Sequence, residues 1–268
     1  MKNKVVIITG ASSGIGKALA YELSSFGSKV VLGARNIESL AKIANDIKQK
    51  GGDAIFVETD VSIEADCKNL IDEAINKYGG VDVLINNAGI SMRALFENTD
   101  LSVIKKLMDV NFWGTVYCTK YALPHVLKQK GSIVGVSSIA GIKALPARTG
   151  YSASKYAMVG FLEALRVENS HNEIHILIAY PGFTASNIRN TSLGADGSPQ
   201  GESPRNEDQM MKAEEVARHI YYAIKKRKDK IILTGQGKLI FQINKFVPAM
   251  LDKMIYKGLA KEPNSPFK

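Results

Sequence analysis

Tyr151 and Lys155 are the side chains with the clearest capacity for chemistry. They are four residues apart at the start of an expected helix, so both lie on one face of it. An ammonium group beside a phenol favours the phenolate and lowers the phenol pKa from about 10. The spacing therefore predicts a tyrosine that exchanges a proton near neutral pH. Ser138 is expected at the end of the preceding strand, where its hydroxyl could bind a carbonyl oxygen.

A second motif is the glycine-rich segment Thr9–Gly16, between an expected strand and an expected helix. Because Gly10 and Gly14 have no side chains, a pyrophosphate can approach the backbone N–H groups at the helix N-terminus. Gly16 allows the helix to pack closely on the strand. Glycines also end strands for conformational reasons. The position at the first strand–helix crossover is what favours a dinucleotide, and the absence of a following Lys-Ser/Thr disfavours a nucleoside triphosphate.

The end of the second expected strand bears on which dinucleotide is bound. An acidic residue there would hydrogen-bond the 2′-hydroxyl of an NAD ribose, but Ala34 is neutral and Arg35 is basic. A guanidinium at this point suits a 2′-phosphate. The alternative is that Arg35 is a surface residue at a helix start, where it would oppose the helix dipole. We therefore expect NADP(H).

Strand and helix patterns alternate along the chain with short connections, which predicts parallel βαβ units in a doubly wound, Rossmann-like α/β sheet with helices on both faces. No interdomain linker is seen, so residues 1–268 are expected to form a single catalytic domain. The expected strands are Val5–Thr9, Lys29–Ala34, Ala54–Val57, Val81–Ile85, Ser132–Val136, Ile174–Tyr180 and Lys230–Thr234; the expected helices are Ile15–Phe26, Ile37–Lys50, Ala65–Tyr78, Leu101–Lys130, Ser152–Asn169, Ala213–Arg227 and Leu239–Leu259.

The C-terminal part has a character of its own. Residues 212–268 hold 13 basic and 5 acidic residues, so this segment carries nearly all of the net charge of +9. We expect 236–268 to be a basic extension built on an amphipathic helix bent at Pro248. Its apolar stripe could pack over the substrate pocket or against a partner subunit, or make a weak peripheral contact with a membrane.

The motifs together resemble the short-chain dehydrogenase/reductase family, in order and in spacing, over about residues 4–234. Singly, several could be structural: Asp60 could cap a helix, Asn86-Asn87 could form a turn and Asn111 could be a buried polar residue. The motifs that carry the resemblance are Thr9–Gly16, Asp60-Val61, Asn86–Gly89, Asn111, Ser138, Tyr151 with Lys155, and Pro181-Gly182.

The resemblance implies a role for each of these residues. Tyr151 would be the proton donor and acceptor, Lys155 would hold the nicotinamide ribose and lower the tyrosine pKa, and Ser138 would orient the substrate oxygen. Asn111 would support a water-linked proton path to Lys155, completing the catalytic set. The implied cofactor-binding residues are Gly10, Ser12, Ser13, Gly14, Ile15, Gly16, Arg35, Asp60, Val61, Asn87, Ala88, Gly89, Tyr151, Lys155, Pro181, Gly182 and Thr184.

Composition excludes other classes of protein. The 268 residues are 45% hydrophobic and 23% charged, which is ordinary for a globular protein. Two distant cysteines, Cys67 and Cys118, indicate a reduced compartment rather than a disulfide scaffold. No apolar run approaches a membrane span, and the N-terminus lacks a secretory pattern, so a cytoplasmic location is expected. We expect no metal site, since His171 and His175 straddle a helix end, and no nucleic-acid partner.

The expected function is NADP(H)-dependent interconversion of a carbonyl and a secondary alcohol, in a homodimer or homotetramer assembled through the long helices. A sensor or interaction protein that binds NADPH without turnover is the rival. Two segments should build the substrate pocket, Ile139–Arg148 and the 183–212 loop, whose 191–205 portion we expect to be mobile. An apolar substrate such as a lipid, steroid or acyl ketone is suggested by Ile142, Leu145, Phe183, Met210 and Met211.

Overall fold

Seven parallel strands form one sheet in the computed structural model, which describes residues 1–201, 210–261 and 265–267. The strand order is β3-β2-β1-β4-β5-β6-β7. The predicted doubly wound parallel sheet is therefore confirmed. The strands are β1 (Val5–Thr9), β2 (Lys29–Ala34), β3 (Asp53–Glu58), β4 (Val83–Asn86), β5 (Ser132–Val136), β6 (His175–Tyr180) and β7 (Lys230–Ile232).

Helices cover both faces of this sheet because each has one apolar stripe that must be buried. One core lies between the sheet and α1, α2 and α7, and the other lies between the sheet and α3, α5 and α6. The helices of the described chain are α1 (Gly14–Ser25), α2 (Ile37–Gln49), α3 (Glu64–Tyr78), α4 (Leu101–Met108), α5 (Gly114–Lys128), α6 (Thr149–Glu168), α7 (Ala213–Lys225), α8 (Gly235–Phe246) and α9 (Pro248–Ala260).

The long helix predicted over Leu101–Lys130 is interrupted by a π-helical turn, Asp109–Trp113, that joins α4 to α5. The widened turn holds Asn111, which is fully buried. Such turns are rare in proteins, and those that do occur are often found at functional sites.

The sheet creates a cleft where the chain reverses its direction of winding. β1 pairs with β2 on one side and with β4 on the other, so the connections that follow β1 and β4 diverge to opposite faces. Ligands of doubly wound sheets bind at this point, outside the carboxyl ends of the strands. Four predicted site segments follow these ends: those starting at Gly10, Asn87, Ser138 and Pro181.

The C-terminal segment differs from its prediction. The single bent helix expected over Leu239–Leu259 is two helices, α8 and α9, separated by Val247 at φ −139° and ψ 59°. Pro248 starts α9, where its missing N–H costs no hydrogen bond, instead of bending a continuous helix. Among the described helices, none combines the length and the apolar character that a membrane crossing requires.

The loop expected to be mobile over 191–205 is anchored where it is described. Leu193 is buried and pairs in isolated bridges with Met92 and Pro199. The Asp100 N–H also donates to the Ala195 carbonyl at 2.9 Å. Residues 202–205 of that prediction lie outside the described residues, as does the rest of 202–209.

Two glycines give a test of the packing that this fold imposes. A Cβ on Gly16 would lie 2.3 Å from the Gly10 carbonyl oxygen, whereas a Cβ on Gly160, inside α6, would meet nothing within 4 Å. We expect Gly16→Ala to lower the free energy of unfolding by about 1–3 kcal/mol, because overpacking forces α1 away from β1. Gly160→Ala should raise it by about 0.5–1 kcal/mol through helix propensity. Thermal unfolding measures both, and equal effects of the two changes would contradict the packing described.

Candidate active site

A cleft of about 500 Å³ opens along the carboxyl ends of the central strands. It brings together all of the predicted site residues except Gly16 and Asn111, which lie behind its wall. The predicted residues that line it are Gly10, Ser12, Ser13, Gly14, Ile15, Arg35, Asp60, Val61, Asn87, Ala88, Gly89, Ser138, Tyr151, Lys155, Pro181, Gly182 and Thr184.

The glycine loop forms one end of this cleft. Gly10 and Gly14 have φ of +64° and +51°, in the left-handed region that glycine adopts without strain. The Ser13 side chain at the N-terminus of α1 makes no capping hydrogen bond, and the first turn contains no acidic residue. The helix N-terminus therefore presents N–H groups and a positive dipole to the cleft, which suits a phosphate group.

Asn87 supports this loop through its own hydrogen bonds. Its side-chain amide donates to the Thr9 carbonyl at 2.9 Å, and the backbone N–H groups of Asn87 and Ala88 both donate to the Thr9 hydroxyl at 3.0 Å. The β4 end is thus tied to the β1 end. Asn87 shapes the cleft chiefly by fixing the glycine loop, so its side chain serves as a brace.

Arg35 lies at the other side of the loop, after β2. Its guanidinium is largely exposed and lies 4.0 Å from the Asp60 carboxylate. Burial raises the pKa of Asp60, but hydrogen bonds from Ser62 and the Arg35 charge outweigh it, so the carboxyl pKa lies below its ordinary value. Asp60 accepts from the backbone and side chain of Ser62 and does not cap a helix.

The centre of the cleft holds the predicted catalytic residues. The Ser138 and Tyr151 side chains both line the cleft, and the Ser138 hydroxyl accepts from the Ala140 N–H at 3.1 Å. The Lys155 ammonium donates to the Val136 carbonyl at 3.0 Å and lies 5.9 Å from the centre of the Tyr151 ring. Two hydroxyls thus converge beside a buried cation.

Asn111 is joined to this group from behind. Its side chain donates to Ile90 O and Ser154 Oγ, each at 2.9 Å, and accepts from Ile90 N at 2.8 Å. A Cβ added to Gly89 would lie 3.1 Å from Asn111 Oδ1 and 3.2 Å from Lys155 Nζ. The absent side chain of Gly89 therefore leaves room for both the amide and the ammonium, which a Cβ at this position would displace by a few tenths of an ångström.

The electrostatics of the two titrating groups have separate causes. Burial raises the pKa of Tyr151, and the hydrogen bond from Ser138 and the charge of Arg148 oppose that rise. Burial alone lowers the pKa of Lys155 to about 8. A bound anion would favour the ammonium form of that lysine. The lowering of the tyrosine pKa by Lys155 remains a prediction: the pKa of Tyr151 lies above its ordinary value overall, and the contributions that oppose this rise come from Ser138 and Arg148.

Arg148 was missed by the sequence reasoning, which used it only as the end of a pocket segment. It is buried, lines the cleft and precedes the first turn of α6. The residue before it, Ala147, has φ +58°, an unusual conformation for a residue with a side chain. The sequence feature that could have identified Arg148 is a basic residue three positions before Tyr151.

Arg189 and Ser154 were also missed. Arg189 donates to Thr184 O at 2.8 Å, and the Ser154 hydroxyl accepts a hydrogen bond from Asn111.

Comparisons with known proteins agree with this geometry. The family model described as short chain dehydrogenase matches residues 4–195. The chain belongs to the short-chain dehydrogenase family. The dehydrogenase is 40% identical over 256 residues to 11-beta-hydroxysteroid dehydrogenase-like 2 of Arabidopsis thaliana, covering 94% of this chain and 80% of the relative. It is 36% identical over 271 residues to dehydrogenase/reductase SDR family member 7B of Mus musculus, covering 99% and 84%.

Solved structures show the same fold. A short-chain dehydrogenase/reductase from Burkholderia phymatum in complex with NAD superposes with a TM-score of 0.83 and 26% identity, covering 93% of this chain and 95% of that one. An alcohol dehydrogenase from the archaeon Thermococcus sibiricus, complexed with 5-hydroxy-NADP, has a TM-score of 0.78 and 24% identity, covering 87% and 96%. The dehydrogenase is thus an oxidoreductase of the CH–OH/C=O type by family.

The residues present fit a nicotinamide dinucleotide. The uncapped, positive N-terminus of α1 suits its phosphates, and the space at Gly89, next to the Lys155 ammonium, is one that a Cβ would fill. The arrangement can therefore hold a dinucleotide and exchange a proton at Tyr151.

Replacing Arg148 tests its charge. Arg148→Met should raise the Tyr151 pKa, because the opposing cation is lost. Alcohol oxidation needs the phenolate, so its rate at neutral pH should fall about ten-fold, a fraction of the 10²- to 10⁴-fold typical of acid–base catalysis. The rising limb of kcat/KM against pH should move to higher pH. Arg148→Lys should restore most of the profile, and Arg218→Met, at an exposed position of α7, is the matched control. An unmoved profile in Arg148→Met would refute the electrostatic role.

Proposed function

We propose that the dehydrogenase interconverts a carbonyl and a secondary alcohol on an apolar substrate, with NADP(H) as cofactor. The observation that carries the proposal is the placing of Ser138, Tyr151 and Lys155 in one cleft, with the buried Lys155 ammonium 5.9 Å from the centre of the Tyr151 ring. One substrate oxygen can contact both hydroxyls where they converge. Binding alone does not require this arrangement.

The bound dinucleotide supplies or accepts a hydride at the substrate carbon. During reduction, Tyr151 donates its phenolic proton to the substrate oxygen as negative charge grows there, and Ser138 donates a hydrogen bond to the same oxygen. During oxidation, the phenolate takes the proton from the alcohol. Asn111 and Val136 hold the surroundings of Lys155 in place, so that its ammonium faces the cleft near Tyr151.

The preference for NADP(H) is supported by the end of β2. Ala34 is buried and offers no carboxylate to a ribose hydroxyl, while Arg35 lines the cleft directly after it. A charge-assisted hydrogen bond from a guanidinium to a 2′-phosphate favours NADP. Because the Arg35 side chain is largely exposed, we expect a preference of about ten-fold, at the low end for such a contact.

The proposal of an apolar substrate is supported by the wall beyond Tyr151. Leu145 and Phe183 line the cleft, as do Ile90, Ile188 and Leu193. Ile142 and Met211, which were also expected there, pack against the two cores beside the sheet, so the structure gives them a packing role. The relatives named as hydroxysteroid dehydrogenases support a rigid, apolar alcohol or ketone as substrate class.

We also propose that the dehydrogenase is a homodimer or homotetramer assembled through the helices α4 to α6. Trp113, Tyr156 and Val167 are exposed on this part of the molecule. Trp113 stacks on Tyr117, and Phe112 packs edge-on against Phe161. An aromatic surface of this kind is typical of interfaces.

Tyr151→Phe tests catalysis against a purely cofactor-binding sensor. The change removes the proton carrier and keeps the ring, so turnover should fall by 10²-fold or more while NADPH binding is largely kept. Tyr156→Phe, on the same helix, is the control and should keep its rate. NADPH oxidation is followed over a panel of apolar ketones. Retention of more than about a tenth of the rate in Tyr151→Phe would place proton transfer elsewhere, and a wild-type protein that binds NADPH but oxidises none of it with any ketone would be the sensor.

Replacing the two residues at the end of β2, Ala34 and Arg35, tests which cofactor the enzyme prefers. Ala34→Asp with Arg35→Ala should reverse the preference from NADP to NAD, because a carboxylate binds a ribose 2′-hydroxyl and repels a 2′-phosphate. The measurement is kcat/KM for both cofactors, and Lys42→Ala on α2 is the control that should leave their ratio unchanged. A wild-type enzyme that uses NAD as well as NADP would contradict the assignment.

A further inference from the structure

We propose that α8 and α9 dock the protein onto an anionic lipid bilayer. The inference does not rest on the proposed substrate or cofactor. It rests on an exposed apolar surface, which we call the C-terminal patch, and on the charges around it. The C-terminal patch consists of Leu239, Phe246, Val247, Met250 and Met254.

The C-terminal patch lies on the outer faces of both helices and on their junction. Phe246 is 79% exposed and ends α8, and Val247 forms the break that follows. Met250 and Met254 are one helical turn apart on α9 and are each about half exposed. Leu239 and Phe246 are two helical turns apart on α8, so the exposed apolar residues of both helices lie on either side of the junction at Val247. Helices of 12 and 13 residues are too short to span a bilayer, but they can lie along its surface.

The inner faces of the same helices attach the patch to the body of the protein. Leu251 and Leu259 are buried, and Ile240 packs against the core beside α6. Asn244 donates to the Ile142 carbonyl at 3.3 Å, and Lys143 forms an ion pair with Asp252 at 2.6 Å. The apolar stripe predicted from the sequence is thus divided, and only its outer half is left for a partner.

Charge decides between a bilayer and a second copy of this chain. Exposed Lys238, Lys245, Lys253 and Lys257 lie between or beside the patch residues, whereas Asp252 is the sole acidic residue of α8 and α9 and pairs with Lys143. In a two-fold contact the same surface meets itself, so these lysines would face one another. Anionic headgroups would instead neutralise them while the apolar side chains enter the acyl boundary.

The position of the helices links docking to the cleft. A Cβ on Gly237 of α8 would lie 2.6 Å from Ile139 Cδ1, which shows how closely α8 packs on the segment after Ser138. Because α8 lies between this segment and the bilayer in the docked protein, the segment after Ser138 would be on the side of the molecule nearest the bilayer. A lipid-dissolved substrate would find the cleft close to the surface in which it is dissolved.

Vesicle co-sedimentation of the full chain tests the proposal. We expect binding to phosphatidylcholine vesicles that contain phosphatidylserine, weaker binding to phosphatidylcholine alone, and weakening as sodium chloride is added. Lys253→Gln with Lys257→Gln should lower the partition coefficient about five-fold per lysine. Phe246→Ser with Met250→Ser should lower it at least as much, because it removes the inserted side chains.

Matched variants elsewhere distinguish the site from bulk charge. Lys42→Gln with Lys48→Gln removes the same charge from α2, and Phe96→Ser removes an exposed apolar side chain away from the C-terminal patch; both should bind as the wild type does. All variants should keep the wild-type melting temperature. Failure of the wild type to bind anionic vesicles at low salt would overturn the proposal, and so would an equal loss in the α2 variant. A change of sedimentation mass in the Phe246/Met250 variant, without vesicle binding by the wild type, would assign the patch to a second copy.

Discussion

The burial of one ammonium group constrains the whole candidate active site. Lys155 is 3% exposed, and its charge is stabilised by the carbonyl of Val136, at the last residue of β5. A buried cation is costly unless polar groups meet it. The sheet end, α6 and the segment after β4 must therefore stay in register around a single nitrogen atom. Ser138 follows Val136 by two residues and Tyr151 precedes Lys155 by one helical turn, so the same constraint brings the two hydroxyls together.

The surroundings of this lysine explain two features that would otherwise look like defects. Gly89 lies at the point where Asn111 and Lys155 approach each other, and a methyl group there would touch both. The π-helical turn places Asn111 deep enough to bind both backbone groups of Ile90. A regular helix over the same residues would place the amide differently. The π-helical turn and Gly89 therefore serve the same end, which is to let Asn111 and Lys155 pack closely against the segment after β4.

Structural features that depend on residues close in sequence could be predicted, whereas those that depend on contacts between residues distant in sequence could not. The strands, the glycine loop and the Tyr151–Lys155 pair depend on local spacing, so they could be predicted with nearly correct bounds. The role of Asn87 depends on hydrogen bonds to Thr9, 78 residues away, and the role of Arg148 depends on how Ala147 turns the chain before α6. The break at Val247 was missed because helical periodicity continues through it, and a proline reads equally as a bend or as a helix start.

The strand order also has a consequence for how the molecule is made. β1, β2 and β3 pair with neighbours close in sequence, within the first 58 residues, so this half-sheet can form soon after it leaves the ribosome. The other edge of β1 waits for β4, since Val6 pairs with Val83, and closing so long a loop is slow. The glycine loop is therefore synthesised before Ser138, Tyr151 and Lys155. In the nascent chain, the half-sheet that carries the glycine loop would thus be complete before the residues proposed to transfer the proton are added.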